Sequence, residues 1–115
     1  MDEHILLRID SLIEQIELVL NDTKGLSFND FKNSDVLCRA SCFSIAQIGE
    51  IMNHLSNLLS SKYKEIPWIS ARRMRNVIVH DYGHVDVEQI YSTIKEDLPL
   101  LYDQFLKIRK DFAFK

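Results

Sequence analysis

The sequence predicts an all-α domain, an antiparallel bundle of four to five helices spanning residues 1–115. Three observations carry that prediction. Only three glycines and two prolines occur in 115 residues, which leaves few turn-forming sites and favours long helices over many short strands. Apolar residues recur at alternating spacings of four and three, the seam of a packed helix. The hydrophobic fraction of 46% and charged fraction of 27% are those of an ordinary globular protein, with enough chain for one domain with a real core.

The first helix is expected over about residues 3–21, with Ile5, Ile9, Leu12, Ile16 and Val19 as its seam. Leu6, Ile13 and Leu20 widen that seam into the face of a bundle helix. Asn21-Asp22 and Gly25 end it. Ser27-Phe28-Asn29-Asp30 sets a capping serine three residues before an acid, so a short helical turn begins there. A long second helix runs from about 34 to 60, with Ile45, Ile48, Met52, Leu55 and Leu59 inward and Ile51 and Leu58 widening the stripe. Gly49 inside it costs about 1 kcal/mol relative to alanine, which points to close approach of another helix or of a substrate.

Ile66-Pro67-Trp68 marks the next start, because proline is tolerated in a first turn where its missing donor would be unpaired anyway. The third helix is expected over about 67–80, with a break at Gly83. Asp86 followed by Gln89 reads as a capping pair that opens a fourth helix, with Val87, Ile90, Ile94 and Leu98 inward. Pro99 is expected to kink or split this helix, since it removes a donor and clashes with the preceding turn. A helical segment then continues from Leu101 to about Phe112.

Composition excludes several classes. No apolar run approaches bilayer length, and Met1-Asp2-Glu3-His4 lacks the basic start of a secretion signal, so a cytoplasmic protein is expected. Cys38 and Cys42 are four apart, too few for a disulfide framework and not the spacing of a redox or zinc pair. They read as buried free thiols. The net charge of −3 argues against nonspecific coating of nucleic acid. Yet residues 62–84 carry Lys62, Lys64, Arg72, Arg73 and Arg75 against Glu65 and Asp81, a balance of +3 that leaves −6 for the rest. A basic island on an acidic body suits a localised phosphate contact, with a solvated face as the plain alternative.

That island contains Arg75-Asn76-Val77-Ile78-Val79-His80-Asp81-Tyr82. An arginine that can hold a phosphate and a histidine that titrates near neutral pH suit phosphodiester chemistry without a metal. A structural ion pair for Arg75 and a capping role for His80 stand as the alternative. Asn76 and His80 share a helix face with Arg73. Arg75 and His80 are five apart, about 140° around a regular helix, so a second copy packed across a two-fold axis would bring the pairs into one cleft. His80 and His84 form a possible metal pair, but it needs a third ligand and Gly83 interrupts it.

The pattern Arg75-Asn76-x-x-x-His80-x-Tyr82 resembles the signature of HEPN-domain ribonucleases, in particular the HepT-like toxin family. Ile48-Gly49-Glu50, Ile66-Pro67-Trp68, Met74-Arg75-Asn76, Val85-Asp86 and Asp97-Leu98-Pro99-x-Leu101 are similar to that family too, in the right order over residues 4–110. Gly83-His84 departs, standing where many relatives carry an aromatic residue. The resemblance implies a homodimeric bundle, with Arg75 and His80 of both subunits as the catalytic groups of an interfacial cleft. Arg72, Arg73 and Asn76 are the candidate substrate contacts. It also implies a metal-independent endoribonuclease, without a cofactor, acting as the toxin of a type II-like toxin–antitoxin pair. The implied partner is an MntA-type minimal nucleotidyltransferase antitoxin that transfers AMP to Tyr82. A noncatalytic partner that presents a nucleotide or substrate to such a transferase is the second reading. Glu50 reads better as half of a structural ion pair than as a cleft residue.

Overall fold

A computed structural model of the chain describes residues 3–70 and 86–113. Their regular structure is entirely helical: α1 (Glu3–Asp22), α2 (Phe28–Lys32), α3 (Asp35–Leu59), a helical start at 68–70, α4 (Val87–Ser92), a wide π-helical turn (Thr93–Asp97) and α5 (Leu98–Ala113). The all-α prediction holds.

α1 is the central strut. Its predicted seam, Ile5, Ile9, Leu12, Ile16 and Val19, is buried against α3 on one side and α5 on the other. Burying a side chain of this size contributes roughly 1.5–3 kcal/mol. α5 runs antiparallel to α1, because Tyr102 donates to Glu17 at 2.7 Å while Arg109 donates to Asp10 at 2.6 Å. On α3 the predicted stripe Ile45, Ile48, Met52, Leu55 and Leu59 is buried, together with the small residues Ser41, Gly49 and Ser56.

The turns follow their local chemistry. α1 stops where Thr23 turns its hydroxyl back to the Val19 carbonyl at 2.8 Å, and Gly25 then takes the left-handed φ of +76°. Ser27 and Asp30 close the expected capping box around α2. Ser34 caps α3.

Two expectations need correction, and a third is borne out in an unforeseen way. Leu58 does not widen the core stripe; it sits about 100° around the axis from Leu59 and is exposed on the outer face. Cys38 and Cys42 are free but half-buried rather than fully buried, and the Cys38 thiol donates to the Phe31 carbonyl at 3.3 Å. Pro99 does split the helix after Asp86, but through a change of winding rather than a loop. In α-helical winding its ring would meet the Lys95 carbonyl. The chain widens instead over Thr93–Asp97, and the Leu98 amide donates five residues back to Thr93.

The connection after α3 is held to α5 by the Tyr63 hydroxyl, which donates to Asp111 at 2.8 Å. Burial first, then this hydrogen bond and the charge of Asp111 and Glu65, push the Tyr63 hydroxyl up to about 12. A tyrosine held above its ordinary value of about 10 contributes stability that is complete below pH 10. That contribution is lost as pH rises from 10 to about 12. Tyr63→Phe is expected to cost about 1.5–3 kcal/mol at pH 7, the range for a hydrogen bond to a charged acceptor. In urea denaturation the gap between the two proteins should close above pH 10; a gap that persists unchanged at pH 12 contradicts this account.

Candidate functional site

Arg72, Arg73, Arg75, Asn76, His80, Tyr82 and His84 lie within residues 71–85, outside the described residues. The structure defines the two ends between which that stretch is strung.

The leading end is fixed to α5. The Trp68 indole donates to the Tyr63 carbonyl at 3.0 Å, and its ring meets Phe105 edge-on at 5.9 Å. Trp68 is buried while its neighbour Ile69 is exposed. The Gln104 amide donates to the Glu65 carbonyl at 3.4 Å, and among the described residues its buried Oε1 has no partner. The helix starts at residue 68, one residue after the proline that was expected to open it; helix ends shift by this much readily.

The trailing end is fixed to the opposite end of the bundle. Asp86 caps α4 by accepting from the Gln89 amide at 3.2 Å. One turn later the Tyr91 hydroxyl donates to the Leu26 carbonyl at 2.8 Å, with Phe28 and Phe31 packed on its ring. Lys95 donates to the Thr23 carbonyl at 3.0 Å and lies over the Tyr91 ring. Sequence reasoning missed Tyr63, Tyr91, Lys95 and Gln104, whose partners lie 39 to 72 residues away along the chain. Ile66-Pro67-Trp68 announced the helix start at the leading end and the capping pattern at Asp86 the one at the trailing end, but neither announced the distant contacts.

Among the other candidates, Glu50 stands 3.7 Å from His54 one turn on, an ion pair whenever that histidine is protonated. Burial pushes both thiols up, aided by Asp35 at Cys38 and by Cys38 at Cys42. Neither is the low-pKa thiol that a nucleophile requires. Among the described residues no group of three metal-binding side chains occurs, and no helix is long and apolar enough to cross a membrane.

The fold thus defines a small helical domain in which the residues that flank the motif-bearing stretch are held at opposite ends of the bundle. The family model for "Ribonuclease HepT-like" proteins matches residues 9–108, and the chain belongs to the HepT-like ribonuclease family. Relatives agree along nearly the whole length. A "Probable ribonuclease HepT" of Thermococcus cleftensis is 34% identical over 102 residues, covering 89% of this chain and 93% of that one. A "Putative RNase" of Caldanaerobacter subterraneus is 35% identical over 100 residues, covering 87% and 89%. A Methanocaldococcus jannaschii protein named for gamma-glutamylcyclotransferase and RNase activities is 31% identical over 111 residues, 96% of this chain and 50% of its own length. No solved structure matches.

The Asp86 cap gives a direct check on the trailing anchor. Asp86→Ala is expected to cost about 1 kcal/mol, the usual loss for a helix N-cap. Urea denaturation with parent-like stability would show that the cap does not hold α4.

Proposed function

We propose that this chain is a metal-independent endoribonuclease and the toxin half of a toxin–antitoxin pair. The observation that carries the reading is the Arg75-Asn76-x-x-x-His80-x-Tyr82 signature within a chain that belongs to the HepT-like ribonuclease family. Neutral His80 takes the proton from an RNA 2′-hydroxyl. The freed oxygen attacks the adjacent phosphorus, and the P–O5′ bond breaks as the departing oxygen gains a proton from solvent. Arg75 stabilises the charge that gathers on the phosphoryl oxygens. The products are a 2′,3′-cyclic phosphate and a 5′-hydroxyl, and DNA, without the 2′-hydroxyl, is inert. Arg72, Arg73 and Asn76 hold the flanking phosphates.

The proposed active form is a homodimer whose cleft draws Arg75 and His80 from both subunits. Three exposed apolar side chains on the outer side of α3, Val36, Phe43 and Leu58 at 67%, 63% and 55%, support a second copy. Light scattering at micromolar concentration is expected to give twice the chain mass; a strict monomer removes the composite cleft.

His80→Ala should lower RNA cleavage by at least about 10²-fold, the usual contribution of a general base. Arg75→Ala should raise the barrier by about 3 kcal/mol, as for a lost oxyanion donor. Cleavage of total RNA by the parent should continue in EDTA. Parent-like cleavage by either variant overturns the role given to that residue.

The partner in this reading is an MntA-type minimal nucleotidyltransferase that silences the toxin by attaching AMP to Tyr82. The added phosphodiester would pair with Arg75 in place of the RNA phosphate, while the nucleoside blocks access. Co-expression with the cognate transferase should add AMP at Tyr82 and abolish cleavage, and Tyr82→Phe should escape both. Mass spectrometry that maps the modification to Tyr63, Tyr91 or Tyr102 contradicts the switch.

A further inference from the structure

Two lysines of the basic island, Lys62 and Lys64, sit in the connection after α3. The fold brings two more beside them from the far end of the chain. Tyr63 bonds to Asp111 and Glu65 to Gln104, so the connection crosses α5 at those two positions. Lys107 lies between them at helical spacings of three and four and shares their face, and Lys110 neighbours it three residues on. The Lys62 ammonium stands 5.4 Å from the centre of the Tyr63 ring, whose hydroxyl reaches Asp111. All four lysines are exposed. Lys62 and Lys107 are 45 residues apart, so no linear pattern announces the cluster.

Of the carboxylates that border it, Asp10 is paired with Arg109, while Asp111 keeps its charge as it accepts from the Tyr63 hydroxyl. Glu65 and Asp103 remain at the edges. The opposite end of the bundle has the reverse character. There Asp22, Asp30, Asp86, Glu88, Glu96 and Asp97 outnumber Lys24, Lys32 and Lys95. A polyanion is repelled from that end and drawn to this one.

We propose that Lys62, Lys64, Lys107 and Lys110 form a ledge for the RNA backbone, beyond the phosphate that is cut. The proposal rests on the ribonuclease reading for its ligand class. The stretch that carries Arg72, Arg73 and Arg75 begins just past Trp68, which is packed on the same helix through Phe105. Arg72, Arg73 and Arg75 follow Lys64 by 8 to 11 residues in sequence, and the ledge is assigned to nucleotides that flank the reacting one. Flexible ammonium groups meet phosphates as point charges, so the ledge adds affinity without base preference.

The test measures binding of a uridine 20-mer over a salt series in a His80→Ala background, which removes cleavage. Lys64→Glu with Lys107→Glu is expected to weaken binding at low salt by about tenfold or more. It should also flatten the salt dependence by about 1.4 in the log–log slope, the share of two phosphate contacts to a single strand. Lys24→Glu with Lys32→Glu makes the same change in net charge at the opposite end and should shift affinity by less than about threefold. The neutral pair Lys64→Gln with Lys107→Gln should lose the same slope with a smaller loss of affinity, and guards against misfolding of the reversed pair. A parent-like slope in both ledge doubles, or equal weakening by the control double, overturns the ledge. A parent protein that binds the oligomer but fails to cut RNA defeats the ribonuclease reading and leaves the ledge standing. A parent that does not bind it defeats both.

Discussion

The apolar seam of α1 is the constraint on which the remaining structure hangs. Ile9, Leu12 and Ile16 are completely buried, covered by α3 from one side and by α5 from the other. A seam covered from two sides leaves little freedom in how its partners lie. Asp10 and Glu17, one on each half of the helix, then fix the height of α5 through Arg109 and Tyr102. With α5 in place, Phe105 and Asp111 are positioned to receive Trp68 and Tyr63, and the leading end of the motif stretch acquires a fixed seat. The trailing end depends on the same strut, since Tyr91 and Lys95 bond to carbonyls just past its last turn.

Much of this fold is legible in the sequence, because its main signals are local. The four-and-three spacing of α1 gives its span to within a residue, and Ser27, Ser34 and Asp86 act as caps through bonds to amides three residues away. What a linear reading cannot show is the hydrogen bond whose acceptor is a distant carbonyl. Leu26 and Thr23 receive Tyr91 and Lys95 with their backbones, so no side-chain pattern betrays the pairing. The wide turn before Pro99 is a related case: proline forbids ordinary winding there, but whether the chain breaks, kinks or widens depends on what Ile94 and Leu98 must keep buried. Leu58 shows the limit of stripe counting, because an apolar residue at the margin of a stripe can face either way.

The candidate chemistry stands differently. Arg75, Asn76, His80 and Tyr82 are read from spacing and from the family to which the chain belongs. The described structure contributes the two anchors that bound their stretch. Those anchors lie at opposite ends of one bundle, and a general base and an anion-binding arginine work best when held in place before the substrate arrives. The polarity of the bundle adds direction, with a lysine-bearing end beside Trp68 and an acidic end beside Asp86.

The chemistry of the cut ends tests the central claim most directly. A defined single-stranded RNA is incubated with the purified protein in EDTA, and the product termini are identified by mass spectrometry. Attack by the neighbouring 2′-hydroxyl predicts a 2′,3′-cyclic phosphate on one fragment and a 5′-hydroxyl on the other, with an all-deoxy strand left intact. Products bearing a 5′-phosphate and a 3′-hydroxyl, or cleavage that disappears with the chelator, would contradict the account.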